Sequence, residues 1–241
     1  MDLSDPTRAV TSALDGPVLA ALAVAGRPLT VGEVAAQTAR GSEIGIRRTL
    51  ARLVDQGLVR ATLVGRTKVH ELNRDHLAAG VADLLAGLRL ELWRRLRDEL
   101  SAWNPPPVYA GVFGSAARGD GDERSDIDLL LVHLPLPGER HRGRTQDGLL
   151  VQFLRRRAVG AVAKPGGPAD PERWHVQVDG LRELVQRWTG NPLQVVDLSL
   201  YEWWEPSPSH KKLLANVKHD CVEIVRDSRL PTRPLARVRR G

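Results

Sequence analysis

The chain has 241 residues, enough for one large domain or two small ones, and its 42% hydrophobic and 27% charged content excludes a disordered chain. A single cysteine, Cys221, excludes a disulfide framework or a thiolate zinc site within one chain. No apolar run approaches a membrane span and MDLSDPTRAV lacks the apolar core of a signal peptide, so the cytoplasm is the expected compartment, while a net charge of +6 favours polyanionic partners over plain solvated basic faces only where the arginines cluster.

In chain order, the first expected helix is GPVLAALAVAG (Gly16 to Gly26), with Gly26 as its stop. TVGEVAAQTA follows, and Thr30 with Glu33 three residues on is the capping-box pattern. After the Arg40-Gly41 turn, Ser42 caps EIGIRRTLARLVDQG. There Ile46, Leu50, Leu53 and Val54 fall at i, i+4, i+7 and i+8 and make one buried stripe. Gly57 ends that helix. LVRATLV and TKVHEL then alternate on either side of Gly65-Arg66, the pattern of a β-hairpin.

Two helices joined by a glycine turn and followed by a hairpin resemble the winged helix-turn-helix of MarR/ArsR-type regulators, from Gly16 to about Leu72. RRTLARLVDQGLVR is similar to their recognition helix running into the wing. The resemblance implies double-stranded DNA as partner, bound by a homodimer. Ser42, Glu43, Arg47 and Arg48 would face the major groove or its phosphates, with Arg66 and Lys68 on the wing. The same residues also suit the solvated face of an amphipathic helix, and a winged helix can dock a protein instead of DNA.

DHLAAGVADLLAGLRLELWRRLRDELSAW (Asp75 to Trp103) places leucines on one face and arginines on the other, a long helix serving as connector, dimer face or both. NPPP ends it, because successive prolines cannot continue a helix. The expected layout is a winged domain over 1–75, a connecting helix over 76–103, a second domain over 107–230 and a flexible basic tail over 231–241.

VYAGVF (Val108 to Phe113) reads as a short strand broken by Gly114-Ser115 ahead of a helix. Glycine lets the backbone approach a ligand, and the free N–H groups with the Ser115 hydroxyl suit phosphate oxygens. Asp126 and Asp128, at i and i+2 of the next strand, project from one face while Ile127 and Leu129 point into the core. Two carboxylates so placed repel unless a hard divalent cation sits between them, and oxygen donors suit Mg²⁺ or Mn²⁺. Ser125 is placed to orient a carboxylate.

GSAARGDGDERSDIDLLLV resembles the DNA polymerase β-like nucleotidyltransferases, in particular the small bacterial minimal nucleotidyltransferases, in which Gly-Ser-x-x-x-Gly and Ser-Asp-x-Asp recur. The fold class expected for the whole chain is α+β: a winged helix-turn-helix, a long helix, and a polymerase β-like α/β domain with a mixed sheet. The resemblance implies transfer of an NMP from an NTP, ATP first among them, to a hydroxyl. Gly114 and Ser115 would hold the β and γ phosphates. Arg118 would neutralise phosphate charge, unless it is simply a solvated helix arginine.

Two metal ions would bridge Asp126, Asp128 and a third carboxylate from a neighbouring strand. Asp197 in LQVVDLSLY (Leu193 to Tyr201), after the helix VDGLRELVQRWTGN, is the expected third ligand and the base or hydroxyl orienter. A strand-end or capping role is its alternative. Asp120, Asp122 and Glu123 read as loop solvation. The acceptor classes implied are a protein side chain, as in AMPylation within toxin–antitoxin pairs, an RNA such as tRNA, or a small molecule.

PLPGERHRGRTQDG (Pro135 to Gly148) and AKPGGPADPER (Ala163 to Arg173) read as loops around the arginine-containing LLVQFLRRRAVGAV, an apparent insertion beside the smallest members. SHKKLLANVKHDCVEIVRD reads as a helix and a short strand. Trp203 and Trp204 suit packing against that helix, or stacking on a base. The rival reading of the whole chain is a nucleotide-responsive transcriptional regulator without turnover.

Overall fold

A computed structural model describes residues 1–137, 139, 152–153 and 170–230. The expectations for 138, 140–151 and 154–169, and for the tail at 231–241, lie outside the described residues. Two compact units emerge: Met1–Arg94 with Gly119–Ser125, and Arg95–Arg118 with the chain from Asp126 onward.

The first unit contains a short 3-10 turn (Pro6–Ala9), α1 (Asp15–Ala25), β1 (Leu29–Thr30), α2 (Val31–Gln37), α3 (Glu43–Asp55), β2 (Val59–Val64) and β3 (Thr67–Leu72). Local chemistry sets these boundaries. Gly26 closes α1 in the left-handed region at φ 60°, and the Thr30–Glu33 capping box opens α2 in both directions. Ser42 accepts from Gly45 N–H at the start of α3. Ile46 and Leu50 are fully buried and Leu53 nearly so, while Val54 packs only partly against the same core. Each full burial contributes up to ~1.5–3 kcal/mol of hydrophobic driving force.

The hairpin turns where expected, with Val64 opposite Thr67 around Gly65 at φ 62°. A third strand, β1, adds antiparallel to β3 and gives the sheet order β1-β3-β2. At two residues it is too short to leave an alternating pattern. The first fifteen residues are also ordered by charge: the buried Asp5 accepts from Arg40 Nε at 2.6 Å, and Arg40 reaches on to the Ser12 and Ala13 carbonyls.

Helix α4 (Ala79–Ala102) contributes to both units. The second unit continues with β4 (Tyr109–Phe113), α5 (Gly114–Arg118), β5 (Ile127–His133), α6 (Pro171–Thr189), β6 (Leu193–Ser199), α7 (Leu200–Trp204), α8 (Pro208–Asp220) and β7 (Val222–Arg226). Among the described residues its four strands form a mixed sheet in the order β6-β5-β4-β7, parallel between β5 and β6 and antiparallel elsewhere. A parallel pair needs a crossover, and α6 lies within it. This helix starts at Pro171, ahead of the VDGLRELVQRWTGN segment read from sequence, because Asp170 caps it and Pro171 takes the first helical position.

Leu129 to Val132 are wholly buried, so both faces of β5 are covered. On one face Leu130 and Val132 share a core with Leu198, Trp204, Leu214 and Val217. Trp203 stacks on Tyr109 at 5.1 Å, which places the tryptophan pair in packing.

Candidate functional site

The site is built where β4 meets β5. Phe113 pairs with Asp128, so Gly114 leaves β4 directly beside that carboxylate. Gly114 has φ 70°, and a Cβ on it would stand 2.5 Å from Asp128 Oδ2. The conformation demands glycine here, and a side chain would also push the Asp128 carboxyl aside. Asp126 is exposed just ahead of β5, and Asp128 is half-buried within it. Burial pushes the Asp128 carboxyl above the ordinary aspartate range; the neighbouring Asp126 charge adds to this and Arg118 opposes it. Arg118 also donates to Asp220 at 3.1 Å, so its guanidinium is shared between two carboxylates. Ser115 lies half-buried in the five-residue α5. The donor chemistry, two carboxylates in tension with a backbone cradle beside them, fits a hard divalent cation carrying phosphates.

Ser125 requires a correction. Its hydroxyl donates to Asp122 Oδ1 at 2.8 Å and accepts from Asp122 N–H at 2.9 Å. A hydroxyl has one proton, so none is left to orient Asp126 or Asp128. That bond, first among the causes, holds the Asp122 carboxyl below its ordinary range, and Asp122 orders its loop as well as being solvated.

Asp197 requires a larger correction. It pairs in register with Leu131, and Leu131 points to the opposite side of the sheet from Asp128. Three residues of strand separate the two levels as well, since Asp128 is in register with Gln194. On its own face Asp197 Oδ2 accepts from Trp174 Nε1 at 2.7 Å. Its Oδ1 is buried without a hydrogen bond among the described residues, 3.8 Å from His133 Nε2, which lies equally far from Glu139 Oε1. The other imidazole nitrogen of His133 sits 2.7 Å from the Leu134 carbonyl. Asp197 is thus a packing carboxylate under α6 and does not join the Asp126/Asp128 donor set. Among the described residues no group of three or more His, Cys, Asp or Glu side chains is placed to hold a metal ion.

In the first unit, Ser42 is engaged as the α3 cap, and Glu43 pairs with Arg47 at 3.0 Å on the exposed helix surface. Arg48 is exposed. A cleft of about 560 Å³ between α3 and the hairpin is lined by Arg47, Arg66 and Lys68 together with Glu43 and Asp55. The buried His70 is part of its lining; its Nδ1 has no partner among the described residues, and burial lowers the imidazole below its ordinary range. Sequence reading passed over His70 because a histidine alternating along a strand looks like any other inward residue.

Residues 93–163 match a family model described as nucleotidyltransferase domain, which is less than half of the chain. No curated protein matches, and no solved structure matches. The match supports nucleotidyl transfer in general terms and spans Gly114, Ser115, Arg118, Asp126 and Asp128. No helix among the described residues is long and apolar enough to cross a membrane.

Proposed function

We propose that the chain transfers an NMP unit from an NTP, with ATP as the leading candidate, to a hydroxyl on a protein, an RNA or a small molecule. The observation that carries this reading is the packing of Gly114 against Asp128, with the charge of Asp126, just ahead of β5, acting on the same carboxyl. Asp126 and Asp128 would hold Mg²⁺ or Mn²⁺. When bound, the cation screens the two carboxylates and withdraws charge from the phosphates during in-line displacement. Gly114 lets the Asp128 carboxylate approach the turn, the Ser115 hydroxyl donates to a phosphate oxygen, and Arg118 offsets the phosphate charge. The acceptor oxygen forms a bond to the α-phosphorus as the bond to the β-phosphate oxygen breaks. Pyrophosphate leaves, and the hydroxyl proton is released to solvent at the exposed edge where Asp126 sits.

The first unit is read as a winged helix that binds duplex DNA through Arg47, Arg48, Arg66 and Lys68, with Ser42 and Glu43 at the helix start; a homodimer and a toxin–antitoxin setting go with that reading. The three cations Arg47, Arg66 and Lys68, which outnumber Glu43 and Asp55 around one cleft, support it. A second reading, a regulator that binds nucleotide without turnover, is favoured by one observation: Asp197 lies on the other face of the sheet. Incubation with labelled NTPs and Mg²⁺ separates the two. Transfer by wild type and its loss in Asp126→Ala/Asp128→Ala supports the enzyme. Nucleotide binding without transfer, joined to nucleotide-dependent DNA affinity, supports the regulator.

A further inference from the structure

The β6 residue in register with Asp128 is Gln194. Adjacent strands lie about 4.8 Å apart and register partners share a face, so Gln194 projects from the Asp128 side one strand over. Its side chain is exposed, so the core has not taken it. The next β6 residues on that face are Val196 and Leu198, in register with Leu130 and Val132, and both are apolar. Gln194 is therefore the polar group that β6 offers to the carboxylate pair. An amide carries a carbonyl oxygen able to meet a cation and an N–H₂ able to meet a phosphate, but it carries no charge.

We propose that Gln194 is the third side chain of the Asp126/Asp128 site, and that its neutrality makes cation loading depend on nucleotide. This rests on the reading of Asp126 and Asp128 as a cation site. With a carboxylate on β6 the site would hold three negative charges; with Gln194 it holds two. Ligand charge count sets the affinity of oxygen-donor sites for divalent cations. The two-carboxylate site binds the free ion weakly, and the triphosphate of an NTP supplies the missing charge. Cation and nucleotide then enter as one unit.

The test is Mn²⁺ binding to the full chain, followed by electron paramagnetic resonance with and without a non-hydrolysable ATP analogue. Wild type should bind Mn²⁺ weakly alone and at least about tenfold more tightly with the analogue. Gln194→Glu should raise affinity for Mn²⁺ alone by about tenfold and shrink the gain from the analogue. Asp197→Asn, an isosteric change on the opposite face, should leave both values within about twofold of wild type. The inference is overturned if Gln194→Glu leaves Mn²⁺ affinity unchanged, or if Asp197→Asn weakens it as much as Asp126→Asn does. A different outcome sinks the underlying reading: Mn²⁺ binding that Asp126→Ala/Asp128→Ala does not reduce. Gln194 is exposed, and matching thermal unfolding curves confirm that the Glu variant folds.

Discussion

The two faces of the C-terminal sheet each carry an aspartate set into an apolar strand, and they treat it in opposite ways. On one face Asp197 has an indole N–H at 2.7 Å and lies beneath a helix. On the other, Asp128 has a like charge for a neighbour, a missing side chain at Gly114, and a carboxyl pushed up by burial. A carboxylate given a donor by its own fold is part of the packing. One left in electrostatic tension, packed against a backbone with no side chain, costs stability and is the candidate for ligand chemistry. A related contrast holds in the first unit, where Arg47, Arg66 and Lys68 line one cleft and Arg47 is ion-paired with Glu43.

The largest expected effect breaks the comparison outright. Asp126→Ala/Asp128→Ala should lower nucleotidyl transfer at least ~1000-fold, whereas Asp197→Asn should cost less than about tenfold. Equal losses from the two faces would erase the distinction. Gly114→Ala comes next, because its methyl group would displace Asp128 Oδ2 and the backbone is held at φ 70°. A loss of ~100-fold in transfer, with a lowered melting temperature, is expected.

Trp174→Phe probes the other face. Removing the indole donor takes from Asp197 Oδ2 its hydrogen bond to Trp174, which should destabilise the chain by ~1–3 kcal/mol in denaturant titrations while nucleotide affinity stays unchanged. In the first unit, Arg66→Ala/Lys68→Ala should reduce the slope of log DNA affinity against log salt by about two, and Arg47→Ala by less, since Arg47 already has an ion-pair partner.

The smallest effect has a definite sign. Because the Asp128 carboxyl is raised in the folded state, its protonated form contributes stability that is present below the unfolded aspartate value of 3.8 and lost as pH rises through the folded value. Asp128→Asn should therefore raise the melting temperature at neutral pH without metal, on the order of 1–3 °C, with the gain vanishing in acid. A lowered melting temperature at neutral pH would mean that Asp128 is satisfied after all.

Much of this was legible in the sequence. Caps and glycine stops fixed α1 to α3, because Thr30, Glu33, Ser42 and Gly57 act within one turn of where they stand. The hairpin followed from alternation around Gly65, whereas strand periodicity reaches Asp128 but stops short of Asp126, which stands just ahead of β5. The position of Asp197 was not legible. It depends on the register of a parallel pair joined by a long crossover, and Leu129 to Val132 are apolar on both faces, so no alternation reveals which side is which. Ser125 misled for a related reason, since its place before the motif says nothing about which of two nearby carboxylates its single proton serves.

Nucleotidyl transfer is tested most directly by offering wild-type chain and the Asp126→Ala/Asp128→Ala variant each of the four NTPs with Mg²⁺ or Mn²⁺, in a cell extract that supplies protein and RNA acceptors, with the label at either the α- or the γ-phosphate. Label should enter an acid-insoluble acceptor from the α position only, with pyrophosphate released, and should vanish in the variant. Tight nucleotide binding at the aspartate pair with no α-label transferred from any NTP would contradict it and leave the chain a nucleotide-responsive regulator.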